Sequence, residues 1–139
     1  MAETSATHRC SILIVDDDAD VRELLRVTLE TEGYSVACVA NGRDALNHLR
    51  SHAETCLILL DLLLPVMDGR QFRNAQLRDR SLAWIPVVLM SGSTDPERSA
   101  RELGARRLVR KPLDLDAVKH ALSSIGCSQA HVRHGPGPA

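Results

Sequence analysis

The sequence lacks three features that would each indicate a particular class of function: a large net charge, closely paired cysteines and a long apolar run. Lys and Arg number 17 and Asp and Glu 18, for a formal net charge of -1. A balanced charge produces no long-range field that would draw the molecule to DNA or to an anionic membrane. We therefore expect no direct nucleic-acid or membrane partner, and any charge-driven partner must recognise a local patch.

The four cysteines are widely separated, at Cys10, Cys38, Cys56 and Cys127. None forms the C-x-x-C pair that is typical of zinc sites and redox motifs. The sequence therefore predicts buried, reduced thiols.

No apolar run is long enough to cross a bilayer. The longest, residues 57–64, is interrupted by Asp61, and a spanning helix needs about 20 apolar residues. Residues 1–9 also lack the apolar core of a signal peptide. These absences predict a soluble, cytoplasmic protein.

The chain is long enough for one compact domain, with 139 residues of which 44% are hydrophobic. We expect that domain to cover residues 10–125, between a flexible N-terminus at 1–9 and a flexible C-terminal tail at 126–139. The tail is too short for a DNA-binding or catalytic output domain, so we expect output through protein contacts.

A strand-helix unit recurs five times. Each of five short apolar segments precedes a stretch with helical periodicity: Ile12–Val15, Ser35–Ala40, Leu57–Leu60, Val87–Met90 and Leu108–Val109. Polar residues that suit helix N-termini precede the helical stretches, namely Asp20, Asn41, Asp68, Thr94 and Asp114. Alternating strands and helices predict an α/β fold, a doubly wound parallel sheet with helices on both faces.

Polar side chains follow four of the predicted strands. They are Asp16 and Asp17 after the first, Asp61 after the third, Ser91 after the fourth and Lys111 after the fifth. Ligands of such sheets bind beyond the carboxyl ends of the strands, so these side chains are expected to converge. Three close carboxylates repel one another unless a cation lies between them, and an all-oxygen set without His or Cys indicates Mg²⁺ rather than zinc.

Taken singly, these residues have ordinary explanations. The run Asp16-Asp17-Asp18 alone is more often a solvated loop or a helix cap than a metal site. Ser91 alone is an ordinary strand-end hydroxyl, and Lys111 alone an ordinary surface lysine. Only their combination with Asp61 favours the metal site.

Four segments together resemble the receiver domains of two-component response regulators. They are Ile12–Asp18, Leu60–Gly69, Pro86–Gly92 and the pair Lys111-Pro112. The resemblance extends over about Cys10 to Ile125, and the joint spacing of the motifs is highly specific. The chain is most similar in type to single-domain, chemotaxis-regulator-like receivers.

The resemblance implies a flavodoxin-like fold with strand order 2-1-3-4-5 and a Mg²⁺-dependent phosphoryl transfer to Asp61. The donor would be a phosphohistidine of a sensor kinase or phosphotransfer protein, and Lys111 and Ser91 would assist. Output would then come from protein contacts or from relaying the phosphoryl group onward to another histidine. The resemblance also implies Mg²⁺ contacts from Asp17, Asp61 and the Leu63 backbone carbonyl, with Asp16 acting through a metal-bound water. It further implies a cis Lys111-Pro112 peptide bond, and a signalling domain that promotes only its own phosphorylation and dephosphorylation rather than an enzyme.

The chain departs from the family at the fifth strand. Leu108 stands where receivers usually carry Tyr or Phe, and Leu113 where Phe commonly follows lysine-proline. Nearby lies a local basic cluster, Arg98, Arg101, Arg106, Arg107 and Arg110. This cluster predicts an acidic downstream partner.

Three alternative functions make different demands on the sequence. An aspartate-nucleophile phosphatase needs a second carboxylate two residues after the nucleophile, where this chain has Leu63. A flavin-binding domain needs a phosphate loop after the first strand, where Asp16, Asp17 and Asp18 would repel a phosphate. The serious alternative is a receiver-like interaction module that acts without phosphorylation.

Overall fold

The computed structural model describes residues 11–126. Five strands alternate with five helices along this range. The strands are β1 (Ser11–Val15), β2 (Ser35–Val39), β3 (Thr55–Asp61), β4 (Val87–Ser91) and β5 (Arg107–Arg110). The helices are α1 (Ala19–Thr31), α2 (Gly42–Ser51), α3 (Gly69–Arg78), α4 (Pro96–Leu103) and α5 (Leu115–Ile125). The segments expected to be flexible, 1–9 and 126–139, lie outside the described residues except for Gly126.

The five strands form one parallel sheet in the order β2-β1-β3-β4-β5. Ile14 in the central β1 lies opposite Cys38 on one side and Leu59 on the other. Because β1 is covered on both faces, all five of its residues are buried. The predicted fold class and strand order are confirmed.

Successive strand side chains point to opposite faces of the sheet and create two apolar cores. Ile12 and Ile14 face one core, which contains residues of α1 and α5 such as Leu25 and Leu122. The other core contains strand residues on the opposite face of the sheet, namely Leu13, Val15, Ile58 and Leu60. Against them pack Ala45, Leu46 and Leu49 of α2 and Phe72 of α3. The sheet is therefore covered by helices on both faces.

The helix starts agree with the sequence prediction at three of five positions. Asn41 and Asp114 cap α2 and α5, and Asp68 forms a capping box with Gln71 at the start of α3. The other two predictions were wrong. Asp18 rather than Asp20 caps α1, and Asp95 rather than Thr94 caps α4. In both cases the side-chain oxygen that reaches the free backbone N–H groups belongs to a neighbouring residue.

Helix α3 has a weak apolar stripe because two of its buried positions are polar. The Arg73 guanidinium donates to the carbonyls of Leu103 at 2.8 Å and Gly104 at 3.2 Å, and to Gln76 Oε1 at 2.7 Å. Gln76 Nε2 in turn donates to the carbonyls of Leu82 and Ile85 at 2.9 and 3.0 Å. These bonds satisfy the buried polar groups and attach the C-terminal end of α4 to α3.

The two described cysteines differ. Cys38 is a free thiol, as expected, but it is half-buried rather than buried. Cys56 is disulfide-bonded, so the prediction of reduced thiols was wrong for Cys56. Among the helices of residues 11–126, none is long and apolar enough to cross a membrane.

Candidate functional site

The carboxyl ends of the strands bring together the side chains that the sequence singled out. Lys111 follows β5, and its Nζ donates to Asp16 Oδ2 at 2.8 Å and to Asp61 Oδ2 at 3.1 Å. Asp16 follows β1 and Asp61 ends β3. One lysine therefore joins carboxylates that are 45 residues apart in the sequence, since the parallel sheet ends all its strands at one edge.

A third carboxylate completes an acidic cluster. One oxygen from each of Asp16, Asp17 and Asp61 lies within 4.8 Å of the others. Asp16 is fully buried, Asp61 is 8% exposed and Asp17 is exposed. The cluster is therefore closed on the protein side and open to solvent at Asp17. Three carboxylate oxygens at this spacing, with the rest of the coordination sphere left to water, suit a Mg²⁺ ion.

Both carboxylate oxygens of Asp16 accept a hydrogen bond. Its Oδ1 accepts from Asp18 N at 2.9 Å, and its Oδ2 accepts from Lys111. Asp18 in turn caps α1. The run of three aspartates is thus both a part of the acidic cluster and a helix cap, so its two alternative explanations from the sequence are not exclusive.

Sequence reasoning did not identify Arg22. Its Nη1 donates to the backbone carbonyl of Asp16 at 2.8 Å, from the first turns of α1. A charged residue four positions after the cap is common on exposed helix faces, so the sequence alone carries no signal for this contact.

Burial and charge act in opposite directions on the pKa of Asp61. Burial raises it most, the neighbouring Lys111 lowers it, and Asp16 raises it further, so that the pKa of Asp61 lies above its ordinary value. Burial alone would lower the pKa of Lys111, but hydrogen bonding and attraction to Asp16 and Asp61 outweigh burial and raise it. Lys111 is therefore charged at neutral pH, and a metal cation in the cluster would favour the ionised form of Asp61.

The loop after β3 is tightly folded. Leu63 N donates weakly to Asp61 Oδ1 at 3.4 Å, while the whole Leu63 residue is 82% exposed. Met67 N donates to the Pro65 carbonyl at 2.7 Å across Val66, whose φ of 68° is unusual for a β-branched residue. The Leu63 backbone N–H thus lies beside Asp61, and a γ-turn centred on Val66 follows it in the same loop.

Ser91 ends β4 and is buried. Its hydroxyl donates to Ser93 Oγ at 3.0 Å and accepts from Ser93 N at 3.2 Å. Within residues 11–126 it makes no hydrogen bond to the acidic cluster. Ser91 thus lies at the expected edge of the sheet but is engaged with Ser93.

The peptide bond between Lys111 and Pro112 is cis, as the resemblance implied.

The basic cluster is partly neutralised within the domain. Arg98 pairs with Glu102 at 3.1 Å, and Arg110 pairs with Glu97. Arg107 Nε instead donates to Ser124 Oγ at 2.8 Å. Arg101, Arg106 and Arg107 form no ion pair with any described residue, so the net positive charge lies toward the N-terminal end of β5.

A doubly wound flavodoxin-like sheet with an acidic cluster and a lysine at its carboxyl edge is the arrangement that the receiver resemblance implied. The chain matches the response regulator receiver domain over residues 12–123, and it belongs to that family. Receiver domains bind Mg²⁺ at an acidic pocket and interact with sensor kinases or phosphotransfer proteins and with downstream targets.

Individual relatives agree with this assignment. Sporulation initiation phosphotransferase F of Bacillus subtilis is 35% identical over 114 residues, which cover 80% of this chain and 89% of the relative. Regulatory protein AtoC of Escherichia coli is 36% identical over 113 residues, or 77% of this chain, but this chain spans only 23% of AtoC. The structure of the chemotaxis response regulator CheY4 of Vibrio cholerae has a TM-score of 0.77 at 27% identity and covers 84% of this chain and 98% of its own.

Proposed function

We propose that this chain is a single-domain receiver that accepts a phosphoryl group from a sensor-kinase or phosphotransfer-protein phosphohistidine onto Asp61, in the cytoplasm, and signals through protein contacts. The observation that carries this proposal is Lys111, which bridges Asp16 and Asp61 beside the open carboxylate of Asp17. In this proposal the chain is a signalling domain that promotes only its own phosphorylation and dephosphorylation, and not an enzyme that acts on a separate substrate.

In the proposed reaction, an Asp61 carboxylate oxygen forms a bond to phosphorus while the bond from phosphorus to the histidine nitrogen breaks. The electron pair of the broken bond stays on the imidazole, and Asp61 becomes an acyl phosphate. The Lys111 ammonium lies 3.1 Å from Asp61 Oδ2 and offsets the negative charge of the transferring group. Asp17, Asp61 and the Leu63 backbone carbonyl would hold Mg²⁺, with Asp16 acting through a metal-bound water, and the ion when bound would supply positive charge to the site.

The Ser91 hydroxyl would bind the product, the acyl phosphate on Asp61. Its present bonds to Ser93 would exchange for a bond to a phosphoryl oxygen. That exchange would move the end of β4, whose residues lie beside β5.

The test uses acetyl phosphate as a small-molecule phosphodonor. Wild-type protein incubated with acetyl phosphate and Mg²⁺ is expected to gain the mass of one phosphoryl group, as measured by intact-mass spectrometry. Chelation of Mg²⁺ is expected to prevent this gain. Absence of the adduct from a folded, Mg²⁺-supplied protein would favour the alternative of an interaction module that acts without phosphorylation.

Replacing Leu63 by asparagine is expected to shorten the lifetime of the phosphoryl group about three- to tenfold, which corresponds to about 1 kcal/mol in barrier height. Leu63 lies two residues after Asp61, its backbone N–H contacts the Asp61 carboxylate, and its exposed aliphatic side chain cannot hydrogen-bond water, whereas an amide can orient an attacking water. The lifetime is measured from the decay of the phosphorylated mass after removal of the donor. Val66→Asn places the same amide elsewhere in the loop and serves as control; equal lifetimes for all three proteins would contradict the role of Leu63.

The downstream partner is proposed to be acidic and to dock on the surface that contains Arg98, Arg101, Arg107 and Arg110. Reversing the charge at Arg107 and Arg110 is expected to weaken binding of that partner about tenfold or more at low salt, since like charges then face each other. Binding is measured by calorimetry at two ionic strengths. Arg43→Glu, an exposed reversal on α2, is the control. Unchanged affinity in the double variant would exclude this surface.

A further inference from the structure

Asp17 is the least restrained member of the acidic cluster. Asp16 and Asp61 are buried and each accepts a hydrogen bond from Lys111, whereas Asp17 is exposed. Across residues 11–126, no hydrogen bond or ion pair to the Asp17 carboxylate is formed. The direction of this side chain therefore depends on the backbone that carries it.

The peptide unit between Asp16 and Asp17 carries the backbone N of Asp17, and the chain is held at both backbone groups of Asp16, the residue before it. Asp16 N donates to the Val39 carbonyl of β2 at 3.2 Å. The Asp16 carbonyl, which belongs to the peptide unit itself, accepts from Arg22 Nη1 at 2.8 Å. Rotation of this peptide plane would break the Arg22 bond and shift the backbone N of Asp17, one of the atoms that set the direction of its Cα–Cβ bond.

Arg22 is well placed to act as a fixed donor. Its backbone N–H donates to the Asp18 carbonyl at 3.0 Å in the first turn of α1, and its side chain is half-buried. The turn itself is capped by the Asp18 side chain. Because α1 packs on the sheet through Leu25 and Leu29, the helix backbone that carries the guanidinium is held in place.

We propose that Arg22 is a positioning residue for the metal site: by holding the Asp16 carbonyl it keeps the Asp17 carboxylate aimed at the cation. This inference rests on the proposed function, because it concerns the Mg²⁺ that the phosphoryl transfer requires. Arg22 itself touches neither metal nor phosphoryl group.

The charge of Arg22 and its positioning role are expected to change Mg²⁺ affinity in opposite directions. The direction of the change in an Arg22 variant therefore tests the inference. The Arg22 guanidinium is a positive charge on the backbone of Asp16, a member of the cluster, and it opposes an approaching cation, so removing its charge alone would tighten Mg²⁺ binding. Loss of positioning would weaken binding, since removing a group that orients a metal ligand typically costs about 10- to 100-fold in affinity.

The test is an NMR titration of the full chain with Mg²⁺, which follows the amide signals of Asp17 and Leu63. Arg22→Met is expected to raise the dissociation constant about tenfold. Arg26→Met is the matched control: it removes a guanidinium from the next turn of the same helix, where Arg26 pairs with Glu23 and Glu30 on the surface. Its Mg²⁺ affinity is expected to equal that of the wild type.

Arg22→Lys separates charge from geometry further, because it keeps the charge and one flexible donor. An affinity between those of the wild type and Arg22→Met is expected, and this variant also serves if Arg22→Met fails to fold. Unchanged or tighter binding in Arg22→Met, or in Arg22→Lys where only that variant folds, would overturn the inference while leaving the proposed function intact. Failure of the wild type to bind Mg²⁺ would overturn the metal site and this inference with it.

Discussion

Replacing Asp61 by asparagine is expected to abolish phosphoryl incorporation and, at the same time, to raise the stability of the metal-free protein. The loss of chemistry follows because an amide does not form the acyl phosphate that a carboxylate forms. The gain in stability follows because Asp61 is 8% exposed and lies close to Asp16 and Asp17. Asparagine keeps the size of the side chain and one oxygen for Lys111 but removes a buried charge.

The stability difference should depend on pH in one direction. Burial holds the pKa of Asp61 above its value in the unfolded chain, which is about 3.9. The wild type therefore loses stability as the pH rises from the unfolded pKa through the folded pKa, because the folded state disfavours the ionised carboxylate. Above the folded pKa, Asp61→Asn should be more stable by an amount on the order of 1 kcal/mol. Below the unfolded pKa the difference should vanish.

Both effects are measured on the same preparations. Intact mass after incubation with acetyl phosphate and Mg²⁺ reports the chemistry. Thermal unfolding in the presence of a chelator reports the stability, with an expected rise in Tm of about 2–8 °C. Added Mg²⁺ should then stabilise the wild type more than the variant, because the variant lacks one ligand. A phosphorylated Asp61→Asn protein would show that the acceptor is another residue.

The sequence was sufficient for the residues whose position follows from topology. Asp16, Asp61, Ser91 and Lys111 lie at strand ends, and a parallel sheet places all strand ends at one edge. The receiver resemblance then supplied the strand order and the cis peptide at Lys111-Pro112, both present in the structure.

The contacts that sequence reasoning missed depend on side-chain direction across elements. Arg22 reaches back from α1 to the Asp16 carbonyl, and Arg73 crosses from α3 to the end of α4. Nothing in the local pattern distinguishes these arginines from others that face solvent. Ser91 illustrates a further limit, since its hydrogen bonds with Ser93 depend on the course of a loop and not on a strand end.

The departure at Leu108 changes how a signal would leave the site. Leu108 is only partly buried and lies opposite Leu89 in the sheet. An aliphatic side chain at this position has no ring to turn between an outward and an inward orientation. The Arg73 contacts show that α4 is held at its C-terminal end by α3, the helix that follows the Asp61 loop. Arg73 thus provides a polar connection between α3 and the C-terminal end of α4.

Replacing Gly69 by alanine is expected to destabilise the protein by about 1–3 kcal/mol. A Cβ at Gly69 would lie 2.6 Å from the Asp61 carbonyl oxygen and 2.7 Å from Leu62 Cα, and both contacts are with backbone. The loop is also held there by the bond from Gly69 N to the Leu62 carbonyl at 2.9 Å. Relief of the clash must therefore move the backbone of Asp61 itself.

The expected destabilisation by Gly69→Ala is opposite to the intrinsic helix propensities, which favour alanine over glycine. Gly69 is the first residue of α3, and alanine is favoured over glycine in helix interiors by up to about 1 kcal/mol. Gly92→Ala is the matched control beside the same site, because its Cβ would lie at an ordinary 3.5 Å from Lys111 Cβ. Urea unfolding should show a midpoint lowered by about 1 M for Gly69→Ala and a change near zero for Gly92→Ala. Equal midpoints for Gly69→Ala and the wild type would mean that the Asp61 loop shifts without cost, and Asp61 would then not be rigidly held against α3.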